Sequence, residues 1–105
     1  TIVMHDALVN IGAKIGNNCI LNTKSLVEHD AIVADHCHIS TSSVINGGTM
    51  IREKTFVGSN TITKEYLTVG KNSIIGGGLR VVSDVPENTL MKNNEQIIGK
   101  KFETE

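Results

Sequence analysis

Three of the four histidines of the chain lie in the segment SLVEHDAIVADHCHIS, residues 25–40. His29 stands between Glu28 and Asp30, so a carboxylate is close enough to hold one imidazole tautomer and to stabilise the imidazolium. This combination of residues is what a general base requires. A metal site and an ordinary solvated surface are the alternatives, and the choice depends on the elements that position these side chains.

The bulk composition excludes several classes of function. The chain has 105 residues and a net charge of −1, which is one domain without the basic field that nucleic acids require. No apolar run approaches the ~18 residues of a membrane helix. We therefore expect no nucleic-acid partner and no membrane partner. Two cysteines without a visible secretory signal predict free thiols in a reducing cytoplasm.

A period of six residues runs through most of the sequence. Counting in sixes, thirteen of fourteen positions are Val, Ile or Leu, and the residue four positions later is usually small. These positions are Val3, Val9, Ile15, Leu21, Val27, Val33, Ile39, Ile45, Ile51, Val57, Thr63, Val69, Ile75 and Val81. A helix would repeat every 3.6 residues and a strand every two. The period instead predicts stacked short strands, each followed by a corner.

The predicted fold is therefore all-β: a parallel β-helix over residues 1–86, followed by a C-terminal extension, residues 87–105, that covers the last coil as a short strand or helix. Three six-residue units make one coil of eighteen residues. Cys19 and Cys37 are eighteen residues apart and stack in one inward column, where two buried free thiols are favoured over a disulfide. Around residues 63–68 we expect either a protruding loop or an imperfect strand.

The eighteen-residue coil determines what stacks on the histidines. One coil beyond His29 and Asp30 stand Gly47 and Gly48. Two glycines would leave open space above the ring and backbone N–H groups for a ligand, which is the geometry that acyl transfer requires. A plain turn also explains this NGG motif. No histidine recurs eighteen residues from His29, so a zinc site, which needs three or four converging ligands, is disfavoured.

The motifs of three segments carry a resemblance to a known family. They are LNTKSLVEHDAIVADHCHISTSS at 21–43, INGGTMIREKTFVGSNTIT at 45–63 and VGKNSIIGGGLRVVSDVPENTLM at 69–91. Over about residues 9–91 the chain resembles bacterial sialic acid O-acetyltransferases and UDP-4-amino-sugar N-acetyltransferases. The resemblance implies a left-handed coil, acetyl-CoA as co-substrate without a metal, and a homotrimer with sites between subunits.

The resemblance also implies roles for particular residues. His29 would take the proton of the acceptor, Asp30 or Glu28 would orient it, with Asp30 favoured, and Gly47 would donate its N–H to the thioester oxygen. The implied positions that bind the acceptor are Asn22, His38 and Gly48, and those that line the CoA groove are Gly47, Gly58, Gly76 and Gly77.

The chain also departs from that family. Because the sequence starts at Thr1, we expect a processed chain or a fragment, and we expect it to lack the N-terminal domain that binds the nucleotide sugar in that family. The segments TKEYL and MKNNEQ replace the usual turns. The predicted function is acetyl transfer to an amine or hydroxyl of a nucleotide-linked or sialic acid-type sugar. The rivals are a non-catalytic trimerising β-solenoid or truncated scaffold, and a zinc hydratase.

Overall fold

The computed structural model describes residues 1–93 and 95–99, and within them the chain contains strands and turns but no helix. Most strands are two residues long. In chain order they are β1 Ile2–Val3, β2 Leu8–Val9, β3 Lys14–Ile15, β4 Ile20–Leu21, β5 Leu26–Val27, β6 Ile32–Val33, β7 His38–Ile39, β8 Val44–Ile45, β9 Met50–Ile51, β10 Phe56–Val57, β11 Ile62–Thr63, β12 Thr68–Val69, β13 Ile74–Ile75, β14 Arg80–Val81, β15 Thr89–Lys92 and β16 Glu95–Ile98.

Three parallel sheets form the walls of a triangular solenoid of about five turns. Face A holds β1, β4, β7, β10, β13, β15 and β16, face B holds β2, β5, β8, β11 and β14, and face C holds β3, β6, β9 and β12. Paired residues from β1 to β14 differ by eighteen in number, as in Ile39 with Val57 and Val27 with Ile45. The predicted left-handed parallel β-helix with eighteen-residue coils is confirmed.

The core consists of the inward aliphatic side chains of successive coils. Leu21, Ile39, Val57 and Ile75 form one column with essentially no exposed surface. At the first coil Val3 and Val9 point the same way but remain exposed, because each is covered only from the side of the second coil. Burying one such side chain stabilises the fold by about 1.5–3 kcal/mol relative to leaving it in water.

In several hexads the small inward position carries a hydrogen-bond donor that serves the next coil. The hydroxyls of Ser43, Thr49 and Thr61 donate to carbonyl oxygens fifteen residues later, at 2.6, 2.8 and 2.7 Å. The thiols of Cys19 and Cys37 do the same at 3.0 Å. Buried polar groups that find partners do not penalise the fold. This bond explains why Ser, Thr and Cys fill positions that have room only for small side chains.

Each corner turns through one residue in the left-handed backbone region. The second turn residue has φ near +60° in coil after coil, for example in Asp30, Asn60 and Asn72. Asp, Asn and Gly tolerate this conformation best, and they occupy most of these positions. The corners therefore keep one shape, while the side chains that they present vary.

The segment from Thr63 to Thr68 keeps the register of the solenoid. Thr63 pairs with Val81 and Thr68 pairs with Met50, both eighteen residues away. The protruding loop is therefore wrong, and the imperfect strand is the structure that forms. Thr63 fits in an aliphatic column because its Oγ1 accepts the N–H of Asn46 at 3.1 Å.

The C-terminal extension covers the last coil with a hairpin. β15 pairs in parallel with β13, with a spacing of sixteen residues between Ile74 and Leu90, and β16 runs back antiparallel to β15. Face A therefore continues past Pro86 through β15 and β16. Residue 94 and residues 100–105 of the extension lie outside the described part of the chain.

Shortening one inward side chain tests the coil register. Ile39→Ala should lower the free energy of unfolding by about 2–5 kcal/mol, because Ile39 is fully buried between Leu21 and Val57. Denaturant unfolding measures it. The matched control is Ile11→Ala, whose side chain is 82% exposed and should change little. Equal losses in the two variants would contradict the register.

Candidate active site

His29 lies at the corner between faces B and C, which we call corner BC. This corner consists of the turn segments 10–13, 28–31, 46–49, 64–67 and 82–84. The strands β5 and β6 hold His29 on both sides, and the N–H of Gly48 donates to its carbonyl oxygen at 3.0 Å. The predicted stacking of residues 29 and 47 on adjacent coils is therefore confirmed.

The imidazole of His29 lies directly against Gly47 of the next coil. A Cβ placed on Gly47 would overlap the ring, with Cε1 at 2.6 Å and Cδ2 at 2.9 Å, so only glycine allows this arrangement. The side chain of His29 is still 51% exposed. Its Nε2 is the ring atom nearest to the Cβ position of Gly47. The basic nitrogen is thus held against a bare stretch of backbone and remains open to solvent.

The two carboxylates beside His29 have different partners. Asp30 Oδ2 lies 3.4 Å from Nδ1 of the ring, whereas Glu28 Oε1 accepts a hydrogen bond from Asn10 at 2.9 Å. Asp30 is therefore the acid that faces the imidazole. A proton on Nδ1 directed at Asp30 leaves Nε2 unprotonated, which is the tautomer that a base needs.

Gly47 offers a free backbone donor beside the ring. Its carbonyl oxygen accepts the N–H of Tyr66 at 2.9 Å, but its own N–H has no acceptor within residues 1–93 and 95–99. Gly47 is a buried residue, and an N–H without an acceptor beside an imidazole can donate to an oxygen on which negative charge develops.

The space on the other side of the NGG turn, over Gly48, is filled by Tyr66 of the next coil. A Cβ on Gly48 would lie 3.0 Å from Cζ of Tyr66 and overlap the ring edge formed by Cδ1 and Cε1. Gly48 has φ +70°, a conformation in which a side chain is also strained. The NGG turn therefore receives two rings, one from each neighbouring coil. Period counting did not reveal this, since Tyr66 lay in the segment predicted as a loop or imperfect strand.

One chain does not bring the remaining predicted residues to His29. Asn22, Gly58, Gly76 and Gly77 lie at the corner between faces A and B, which we call corner AB, with turn segments 4–7, 22–25, 40–43, 58–61 and 76–79. The Oδ1 of Asn22 accepts the N–H of Thr23 at 2.7 Å. His38 is on the outer side of face A. Their roles stay predictions that require a second chain.

The other histidines have separate surroundings. His38 packs edge to face with Phe56, with ring centroids 5.1 Å apart, and its Nε2 is buried without a partner among the described residues. His36 Nδ1 lies 3.0 Å from the side-chain nitrogen of Asn18. In the described part of the chain no three His, Cys, Asp or Glu side chains are grouped to hold a metal.

A groove on face B begins next to the NGG turn. It has a volume of about 370 Å³, and Asn46 lies at its start. Lys64 and Arg80 line it with two cations, beside the carboxylate of Glu65. The sequence analysis did not identify these residues, because their proximity follows from the second and third coils above His29 and not from any local motif.

Neither cysteine is suited to act as a nucleophile. Both are buried free thiols, as predicted, and each donates to a backbone carbonyl. Burial raises the pKa of the Cys37 thiol to about 11. A thiol with a raised pKa is a poor source of thiolate. Direct transfer without a covalent enzyme intermediate is consistent with this.

Comparisons with known proteins point to acyl transfer. No family model matches the chain. The chain is 28% identical over 77% of its length to an acyl-[acyl-carrier-protein]–UDP-N-acetylglucosamine O-acyltransferase of Nautilia profundicola. It is 35% identical over 73% of its length to the bifunctional protein GlmU of Lawsonia intracellularis. It spans 31% and 18% of these two relatives, which is less than a third of either.

A solved structure matches the fold closely. The acetyltransferase domain of PglB from Neisseria gonorrhoeae superposes with a TM-score of 0.86 and 29% identity, over 90% of this chain and 46% of that chain. The same domain has been solved in complex with acetyl coenzyme A. Within the described residues no helix is long and apolar enough to cross a membrane.

The raised pKa of Cys37 predicts a pH dependence of stability. The unfolded thiol loses its proton near its ordinary pKa of 9.0, and the folded thiol near 11. Stability from the protonated thiol is therefore complete below pH 9 and is lost as the pH rises through 11. Urea unfolding should show that wild type loses more stability over this window than Cys37→Ala. Parallel losses would contradict burial as the cause of the shift.

Proposed function

We propose that this chain belongs to the hexapeptide-repeat acyltransferases and transfers an acetyl group from acetyl-CoA to an amine or hydroxyl of a sugar. The observation that carries the proposal is the imidazole of His29 lying over Gly47 with Asp30 at its Nδ1. The relatives named as acyltransferases and the PglB domain solved with acetyl coenzyme A support the same class of reaction.

The proposed reaction is a direct displacement. Nε2 of His29 accepts the proton of the acceptor amine or hydroxyl while that atom attacks the thioester carbonyl carbon. The oxyanion that forms accepts the N–H of Gly47. When the carbon–sulfur bond breaks, the imidazolium returns its proton to the CoA sulfur. Asp30 stabilises the imidazolium between these two transfers.

The charges around corner BC favour an amine acceptor over an anionic one. Glu28 and Asp30 flank the base, and Glu65 lies one coil above Gly47. The nearest cation of this corner is Lys64. This excess of carboxylates attracts an ammonium group and repels the carboxylate of a sialic acid. We therefore propose an amino sugar, whose nitrogen attacks the thioester carbon after the ammonium group has lost a proton.

The groove on face B is the place that we propose for CoA. It starts at Asn46, beside the N–H that would meet the thioester, and continues toward Lys64 and Arg80. Guanidinium and ammonium groups bind phosphates well. The groove thus offers contacts for an anionic arm and leaves the opposite side of His29 for the acceptor.

We further propose that three chains assemble with sites between them. The outward side chains of faces A and B form apolar stripes. They are Ile20, Phe56, Ile74 and Leu90 on face A and Leu8, Leu26, Val44 and Ile62 on face B. Corner AB between them carries the short polar residues Thr41 and Ser42. Packing face A of one chain on face B of the next would place this corner at a threefold axis and cover both stripes. Because Ile62 belongs both to the stripe and to the groove proposed for CoA, that groove would then lie between two chains.

Such an assembly would also use the unpartnered His38. His38 lies half-buried on face A and its Nε2 is buried without a partner among the described residues, so we propose that a neighbouring chain or a ligand supplies one. An unpaired buried nitrogen costs about 1–3 kcal/mol, so a partner is expected. In this arrangement His38 of one chain and His29 of the next line one site.

Removing the base tests the proposed mechanism. His29→Ala should lower turnover about 10²- to 10⁴-fold without unfolding the chain, because the ring is half exposed. The measurement is release of CoA thiol from acetyl-CoA with glucosamine, UDP-N-acetylglucosamine or N-acetylneuraminic acid as acceptor. The matched control is His36→Ala, an exposed histidine of the next corner, which should keep the wild-type rate.

Unchanged turnover in His29→Ala would refute the base assignment. The alternative of a non-catalytic solenoid makes a different prediction, since it would release no thiol with any acceptor and would bind no acetyl-CoA by calorimetry. A hydratase would instead carry zinc in elemental analysis of the purified protein.

The proposed trimer predicts an asymmetry between the faces. Phe56→Asp on face A should turn a trimer into a monomer, because it buries a carboxylate in an apolar contact. Thr68→Asp on face C, also exposed, should leave the trimer intact. Sedimentation velocity measures both. A wild-type monomer, or equal behaviour of the two variants, would be inconsistent with packing through face A.

A further inference from the structure

Tyr66 is placed where the acceptor would enter. It lies in the turn between β11 and β12, and its N–H donates to the carbonyl oxygen of Gly47 at 2.9 Å. Its ring covers Gly48 from the coil above, while the ring of His29 covers Gly47 from the coil below. The two rings therefore contact adjacent residues of one NGG turn, each from a different neighbouring coil.

The fold does not account for an aromatic residue at this position. Tyr66 has φ +57°, a conformation that bulky side chains rarely adopt. The equivalent residues two corners before and after it along the chain are Lys54 and Gly78, and the adjacent ones are Asn60 and Asn72. The ring is 72% exposed, so it adds little to the core, and its hydroxyl has no partner among the described residues. Tyr66 therefore has a strained backbone conformation although its side chain faces solvent and contributes little to the core.

The position of the base limits where an acceptor ring can lie. The atom that gives its proton to Nε2 of His29 must come within about 3 Å of that nitrogen. If the thioester lies at the N–H of Gly47 and CoA lies along face B, the sugar ring of the acceptor must lie on the side of Gly48. That side is the exposed face of Tyr66.

We infer that Tyr66 is the binding platform for the sugar ring of the acceptor, and this inference rests on the proposed function. The C–H face of a pyranose packs on the electron-rich face of an aromatic ring, and the phenol hydroxyl can donate to or accept from a ring hydroxyl. Tyr66 is thus a specificity residue for six-membered sugar rings. A flexible amine without a ring would gain nothing from it.

The chain carries its own reporter for this contact. It has one tyrosine and no tryptophan, so its intrinsic fluorescence comes from Tyr66. Titration with glucosamine should change this fluorescence in a saturable way. The control ligand is ethanolamine, an amine of the same charge without a ring, which should leave the fluorescence unchanged.

Two variants separate a binding role from a structural one. Tyr66→Asn places the residue best suited to φ +57° at this corner, so its melting temperature should equal or exceed that of wild type. Its KM for glucosamine should rise about tenfold, with the KM for acetyl-CoA unchanged. Tyr66→Phe keeps the ring and should stay within about threefold of the wild-type KM.

The outcomes distinguish this inference from the proposed function. If wild type transfers acetyl groups and Tyr66→Asn keeps the wild-type KM for glucosamine, the platform is overturned. It is equally overturned if Tyr66→Asn melts lower, which marks a structural role, or if only the KM for acetyl-CoA rises, which assigns the ring to CoA. If wild type transfers nothing, the proposed function fails, while saturable quenching by glucosamine alone would still support the platform.

Discussion

Backbone hydrogen bonds between coils set every neighbour relation in this solenoid. Each short strand pairs with the strands eighteen residues before and after it, and the turns also bond from coil to coil. Two-residue strands have no stability of their own, so the register exists only because all three faces enforce it together. The position of His29 beneath Gly47 is one consequence of this register. A slip by one residue would turn the inward aliphatic side chains to solvent and move the base away from its glycine.

The same constraint separates what the core requires from what the corners present. Inward positions alternate between an aliphatic side chain and a residue that is usually small, and the hydroxyls of Ser43 and Thr49 at the small position donate to a carbonyl of the next coil. The corners need only one residue that tolerates positive φ. The remaining corner side chains are free to vary, and corner BC uses this freedom to gather His29, Asp30 and Tyr66 around a glycine pair. The chemistry is therefore carried by positions on which the fold makes few demands.

The sequence predicted the parts that depend on period alone. Counting in sixes was sufficient for the coil length, the inward columns, the stacked thiols of Cys19 and Cys37, and the pairing of residue 29 with residue 47. It was insufficient where a side chain of unusual size stayed in register. The segment around Thr63 and Tyr66 departed from the pattern of residue types, and only the structure shows that its backbone still follows the coil.

The six-residue period also did not reveal that residues predicted for the site lie on different corners. Asn22 and His38 share a motif with His29 in the sequence, and Gly58 belongs to the next motif, but all three lie on other sides of the triangle. Residues that are close in sequence lie on different faces or corners of a solenoid, whereas residues eighteen apart lie on the same face or corner. Lys64 and Arg80 were missed for the converse reason, because they are near the site in space and remote from its motifs.

The spacing of sixteen residues between β13 and β15 has a consequence for how the solenoid changes length. From Ile2 to Val81 all coils share one phase, so whole coils of eighteen residues are interchangeable units there, and their duplication or loss would leave every other coil undisturbed. The coil that ends in β15 is shorter by two and closes with an antiparallel strand. This coil differs from the repeating unit, so coils can be added or lost only among those before it. The structure of this end does not depend on how many coils precede it.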